Sequence, residues 1–237
     1  MIDTHAHLEM LDDGAVARAR DAGVTRILTI GTYDAVALAG EHDDVYAVVG
    51  IHPHEAAHER DLDHIRELLA HPKAVAVGEI GLDYFRDYAP HDAQRQLFEA
   101  QLGLAREVQK PVVIHTRDAD ADTAAALEGF DGTVVLHCFS SPHLLPAALE
   151  RGWYVSFAGN VTYKNASDLR LAATQVPADR LLAETDCPYL APQPVRGKQN
   201  EPAYVMHTLE TLAHARGDDY RELEAQIERN ATACFGL

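Results

Sequence analysis

Residues 75–115 read VAVGEIGLDYFRDYAPHDAQRQLFEAQLGLAREVQKPVVIH. Two short runs rich in valine, 75–78 and 111–115, enclose a long segment, 92–109, whose apolar residues recur near the 3.6-residue helical period. Strand, helix, strand is the repeating unit of a parallel sheet, since parallel neighbours need a crossover long enough to bring the chain back. The same alternation extends in both directions. Strand-like runs occupy 2–5, 26–30, 46–51, 133–137, 153–157 and 181–184, which with the first two makes eight. Helical spacing marks segments such as 13–22, 62–70, 142–150 and 166–175, and a long helical region over 202–215 and 219–232. Eight β-α units predict an α/β fold of the (β/α)8 TIM-barrel type. Its 237 residues suit one such domain spanning 1–237.

Composition limits the function classes. No run of about 18 apolar residues exists to span a bilayer, and the chain opens on Met1-Ile2-Asp3-Thr4-His5 with no basic and apolar leader, so a cytoplasmic location and no membrane partner are expected. Three cysteines, Cys138, Cys187 and Cys234, lack CxxC spacing and argue against both a disulfide framework and a zinc knuckle. Acidic residues number 37 against 20 basic, for a formal net charge of −17, which speaks against non-specific wrapping of DNA. Only four of the cations are lysines, and an Asp-rich, Lys-poor surface reads either as adaptation to a salty cytoplasm or as that of an ordinary acidic protein.

Polar residues at the ends of the apolar runs carry the chemistry. His5 and His7 are two apart on an extended segment, so both side chains leave one face and can approach one cation. Glu79, His115, His137 and Asp186 each stand at or just past the end of an apolar run. In a barrel those ends converge at the C-terminal mouth, where active sites of this fold are built. Taken singly, each has a plain reading: a strand-end histidine can be a hydrogen-bonded surface residue, and Glu79 can cap the next helix. Together, four histidines and two carboxylates at one level of a barrel form a dense polar cluster for which a cation is the natural compensation.

The motifs Ile2-Asp3-Thr4-His5-Ala6-His7-Leu8, Gly50-Ile51-His52-Pro53-His54, Gly78-Glu79-Ile80-Gly81-Leu82-Asp83-Tyr84, Ile114-His115-Thr116-Arg117-Asp118-Ala119, His137-Cys138-Phe139-Ser140 and Glu184-Thr185-Asp186-Cys187-Pro188-Tyr189-Leu190 resemble, in order, those of the TatD deoxyribonuclease family of the amidohydrolase superfamily. The resemblance covers essentially the whole chain. It implies a two-metal site, with His5, His7, Glu79 and Asp186 on one ion, Glu79, His115 and His137 on the other, and Glu79 as the bridge. Asp186 and Glu79 are then the candidate catalytic carboxylates, Asp186 accepting the proton of the attacking water. Two departures stand out: Ala6 where the family often has Cys, and Ser141-Pro142 where Gly-Ser is common.

Around this set, Glu184 either orients a histidine from behind or pairs with a barrel arginine, and His52 and His54 either line the mouth or cap a helix. Arg196 and Lys198, just ahead of Gln199-Asn200, are placed for an anionic substrate, with Arg117 as a third candidate, unless the loop is merely solvated. The implied activity is metal-dependent hydrolysis of DNA, as single strands or ends, since a barrel mouth is a pocket and not a duplex-long groove. The same metals could instead cleave an ester such as a mischarged D-aminoacyl-tRNA, or serve a non-catalytic scaffold. Two divalent ions are expected, Mg, Mn, Zn or similar, and monomer is the default oligomeric state.

Overall fold

The computed structural model describes residues 1–58, 61–86 and 88–237. Eight parallel strands follow one another around a single sheet in sequence order: β1 Ile2–Ala6, β2 Arg26–Gly31, β3 Val45–Val49, β4 Ala74–Asp83, β5 Val112–Arg117, β6 Val134–Leu136, β7 Tyr154–Phe157 and β8 Leu181–Ala183. Helices α1 Ala15–Asp21, α2 Tyr33–Glu41, α3 Leu62–Leu69, α4 His91–Val108, α5 Asp120–Leu127, α6 Leu145–Arg151 and α7 Ser167–Gln175 return the chain between strands. Two more, α8 Val205–Arg216 and α9 Tyr220–Phe235, follow β8. This is the expected (β/α)8 barrel. The seam between first and last strands is closed just beyond β8, where Ala6 bridges Cys187 and the His7 N–H donates to the Cys187 carbonyl at 2.8 Å.

The strands are valine- and isoleucine-rich because both faces are covered, by helices outside and by the barrel's own side chains inside. Phe157, Ile114 and Leu82 are fully buried there. Helix ends carry the expected chemistry. The Asp219 side chain accepts from the Arg221 and Glu222 N–H groups at the start of α9, and Gly217 and Gly236 close α8 and α9 in the left-handed conformation. Helices α2 and α5 fall outside the segments whose spacing predicts helix; α5 is Asp-Ala-Asp-Thr-Ala-Ala-Ala-Leu, with a single large apolar residue to mark a face.

One strand differs from expectation in a way that matters for the site. The apolar run ends at Gly78, yet β4 continues to Asp83. Val77 pairs Val112 and Ile80 pairs Ile114, so three steps on β4 span two on β5, and this bulge carries Glu79. Close packing makes room for it. A Cβ on Gly81, whose φ is +142°, would sit 2.0 Å from the His115 carbonyl oxygen. Glu79 therefore projects from within a strand, not from the loop after it.

Candidate active site

Strand geometry brings all six expected residues to the C-terminal mouth. His5 is the last residue but one of β1, and Glu79 rides the β4 bulge. His115 lies on β5, His137 follows β6 directly, and Asp186 stands three residues past β8. The Asp186 backbone is in the left-handed region, φ 56°, and its N–H donates to the His5 carbonyl at 2.9 Å. A non-glycine residue there carries local strain that the surrounding structure must hold in place.

The two oxygens of Glu79 face different histidines. Oε2 lies 3.5 Å from His5 Nε2 and 3.9 Å from His7 Nε2; Oε1 lies 2.7 Å from His115 Nδ1 and 2.8 Å from His137 Nε2. Asp186 Oδ1 adds a second carboxylate on the first side, 3.5 Å from His7 Nε2 and 3.8 Å from His5 Nε2. Donor atoms close enough to share an ion form three groups: His5, His7 and Glu79; His5, His137 and Asp186; and His52, Glu79 and His115. His137 thus approaches the first side as well as the second, its ring stacked on His5 at 3.9 Å between centroids.

His52 sits at Glu79 itself, Nε2 to Oε1 3.4 Å, while its Nδ1 accepts from the His54 N–H at 3.2 Å. It both lines the mouth and caps the short turn Pro53–Glu55. Glu184 Oε1 accepts from His137 Nδ1 at 3.1 Å and from the Cys138 N–H at 2.8 Å. Of its two sequence readings, this geometry is the first: among the described residues no arginine pairs with Glu184. Arg117 lies over the Phe85 ring at 3.8 Å and Arg196 over the Tyr163 ring at 3.7 Å, while Lys198 is exposed without an ionic partner among the described residues. Asn200, two residues past Lys198, does not share the exposure of that stretch. It is buried, and its Nδ2 donates to the Thr185 and Tyr189 carbonyls, so it anchors the loop.

Two carboxylates were not singled out as site residues by the sequence. Asp83 Oδ2 accepts from His115 Nε2 at 3.2 Å and from His54 Nε2 at 2.8 Å. The apolar run that marks this strand stops at Gly78, and the reach of Asp83 depends on the bulged register of β4 against β5. Asp3 is buried beneath the site, accepting from Thr185 Oγ1 at 2.6 Å and from the Thr185 and His5 N–H groups, and so joins the strand of the His-x-His pair to the segment bearing Asp186.

Charge in the cluster is strongly coupled. Burial pushes the Glu79 carboxyl up, but His137 and His52 beside it, with bonds from His115 and His137, hold it well below the usual carboxylate range. Burial pulls His7 down, and hydrogen bonds to Asp186 and Glu9 overcome this and raise it to about 10. His115 and His137 rise likewise against burial, through Asp83 and Glu79 for the first and Glu79 and Glu184 for the second. His5 behaves oppositely: burial and the neighbouring His137 lower it to about 4. In this cage of carboxylates three imidazoles are shifted upward, while His5, the innermost, is shifted downward.

A family profile described as TatD related DNase matches residues 2–236. The chain belongs to the TatD family. A metal-dependent hydrolase, YabD, of Bacillus subtilis strain 168 is 40% identical, covering 100% of this chain and 99% of its own. A 3′-5′ ssDNA/RNA exonuclease, TatD, of Citrobacter rodentium is 38% identical over 95% of this chain and 92% of that one. Among solved structures, the TatD homologue YjjV of Escherichia coli K12 superposes with a TM-score of 0.94 at 30% identity, covering 100% and 98% of the two chains. The chain is accordingly a hydrolytic enzyme, of a family whose relatives are called metal-dependent.

Whether these residues suit a metal can be judged on His5. Both its ring nitrogens are buried without a hydrogen-bond partner among the described residues. A buried polar atom left unpaired costs about 1–3 kcal/mol, and an imidazole offers no way to pair both nitrogens except a donor, an acceptor or a cation. A divalent ion between His5, His7, Glu79 and Asp186 would take up one lone pair and neutralise two carboxylates. Imidazole nitrogen with carboxylate oxygen is the donor set of Zn, Mn, Ni or Fe, with Mg less favoured. The residues present fit such an ion.

Proposed function

We propose that the enzyme hydrolyses phosphodiester bonds of single-stranded nucleic acid, DNA foremost, with two divalent cations held on either side of Glu79. The observation carrying this reading is the Glu79 carboxylate, one oxygen toward His5 and His7 and the other toward His115 and His137. His5, His7, Glu79 and Asp186 would hold one ion and Glu79, His115 and His137 the other. When bound, such ions lower the pKa of a water and take up charge on the phosphoryl and leaving oxygens.

The chain's own residues do the rest. Asp186, at the rim of the cluster, accepts the proton of the attacking water. Glu184 keeps His137 in the tautomer with its proton on Nδ1, leaving Nε2 to face Glu79, and Asp83 does the same for His115 from the opposite nitrogen. An anionic substrate is supported by where free positive charge lies. Most basic side chains pair with carboxylates or carbonyls, as Arg18 does with Asp12 and Arg151 with main-chain oxygens. Among the described residues, the basic side chains with neither are Arg86, Arg117, Lys164, Arg196 and Lys198, and all five lie on segments at the mouth. The 3′-5′ ssDNA/RNA exonuclease activity in the name of a relative supports a single strand.

The test is to strip the protein with chelator, restore Mn or Mg, and offer labelled single-stranded DNA beside D-aminoacyl-tRNA. DNA cleavage that requires the divalent ion, and that Glu79→Ala or His115→Ala abolishes without unfolding the barrel, is the expected result. Full activity in chelator would refute the metal site. Cleavage of the aminoacyl ester alone would make the enzyme a deacylase.

A further inference from the structure

Six large apolar side chains stand well out in solvent among the described residues, and five of them, Met10, Tyr33, Phe85, Tyr88 and Tyr189, are at the mouth, on or directly beside the segments that follow β1, β2, β4 and β8. Single exposed apolar residues need no explanation, but a ring of them around one cleft marks a surface that meets something. Phe85 is the member whose surroundings specify what. Its N–H donates to Asp83 Oδ1 at 3.0 Å, so the carboxylate that bonds His115 also fixes the turn carrying the ring. Arg117 lies two residues past His115 on β5, on the same strand face, one step of about 6.6 Å further out of the barrel. Its guanidinium carbon is 3.8 Å from the centre of the Phe85 ring. Asp83 pairs Arg117 across the sheet, and the Tyr84 N–H donates to the Arg117 carbonyl at 2.9 Å, so ring and cation are set by strand register and not by a free loop. Phe85 remains 55% exposed with the guanidinium on it.

A flat apolar ring and a planar cation without a carboxylate partner among the described residues, stacked directly above a candidate metal ligand, match a ligand that alternates flat and anionic groups. We propose that Phe85 with Arg117 is a stacking platform for a nucleobase beside the scissile phosphodiester, the Arg117 charge facing the adjoining phosphate. This rests on the nucleic-acid reading above and adds to it that the enzyme selects for a base and not only for a phosphodiester. A protein partner would need a wider apolar face; a bare polyphosphate would gain nothing from the ring. Stacking is tolerant of base identity because every base has a π-face, so the platform suits a strand of any sequence.

The experiment compares two oligomers of equal length with the metal-loaded enzyme: oligodeoxyadenylate, and a chain of abasic tetrahydrofuran residues with the same phosphodiesters. Wild type should prefer the base-bearing strand by about tenfold in kcat/KM, and Phe85→Ala should raise KM on it by about five- to tenfold with a smaller change in kcat. The loss on the abasic strand should be smaller by about fivefold, and Phe85→Trp should restore the preference. Melting curves of both variants should overlay wild type, since the ring is exposed. A wild type indifferent to the missing bases, or a Phe85→Ala enzyme that keeps the wild-type ratio of the two KM values, would overturn the platform while leaving the nuclease intact. If wild type cleaves neither oligomer yet hydrolyses D-aminoacyl-tRNA, the nucleic-acid reading itself fails, and the platform with it.

Discussion

Glu184 and Asp186, two residues apart, divide the work at the end of β8. Glu184 points back to His137 Nδ1 and to the Cys138 N–H, where it is almost wholly buried; Asp186 turns outward on a left-handed backbone toward His7. Removing Glu184 frees the His137 ring to rotate and to change tautomer. Glu184→Gln should therefore weaken metal affinity by about 10- to 100-fold, read by calorimetric titration of the stripped protein, because outer carboxylates of ligating histidines are worth that much. Unchanged affinity would mean that stacking on His5 alone holds the ring. Asp186→Asn separates binding from proton transfer. It keeps an oxygen toward the ion, so the enzyme should retain much of its metal yet lose roughly 10² or more in kcat. Near-normal turnover would move the base to another group, with Glu184 the next candidate.

At the scale of elements, the bulge of β4 and the closure of the barrel decide where those side chains stand. Gly81→Ala puts a methyl group against the His115 carbonyl, at 2.0 Å in the undisturbed backbone and at a φ that L residues rarely adopt. Strands β4 and β5 must separate, so the variant should lose about 3 kcal/mol or more in urea titration, and its metal affinity as well. At the other end of the barrel, α9 is bolted to β1 and β2. Glu228 accepts from Arg26 and from Thr25 Oγ1 and lies 3.1 Å from the Met1 amine. Burial pushes its carboxyl up, but those three partners hold it below the ordinary value. A carboxylate depressed in the folded state contributes stability that is present above its unfolded pKa and lost as pH falls through the folded one. Glu228→Gln lacks that contribution at every pH. The difference in urea midpoint between wild type and variant should be largest near neutrality and shrink as pH drops below the usual glutamate range. A difference independent of pH would mean that packing, not charge, holds α9.

Across the whole molecule, the barrel was legible because valine- and isoleucine-rich runs and helical spacing alternate eight times, and the mouth was legible because Glu79, His115, His137 and Asp186 follow those runs. What stayed hidden depends on register. The bulge at Glu79, and with it the reach of Asp83 to His115, follows from how β4 lies against β5, which no spacing within β4 displays. Asn200 reads as a polar loop residue until its side chain is seen buried on two carbonyls. The acidic surface, by contrast, was plain from the formal charge of −17, and it bears on binding. On a chain of that net charge, Arg196 and Lys198 stand exposed at the mouth and, among the described residues, without carboxylate partners. If they meet phosphates, their contacts serve ground and transition states alike, so the double change to Ala should raise KM more than it lowers kcat. Each lost phosphate contact also releases fewer counterions, flattening the log-log salt dependence for a single strand by about 0.7 per cation. Salt masks both effects, so the comparison belongs at the lowest ionic strength the fold tolerates, with a small uncharged ester run in parallel. Loss confined to the nucleic acid, with a shallower salt slope, is the expected outcome. Equal losses on both substrates, or none on either, would show that the loop does not read phosphate and would favour small-ester hydrolysis at the same metals.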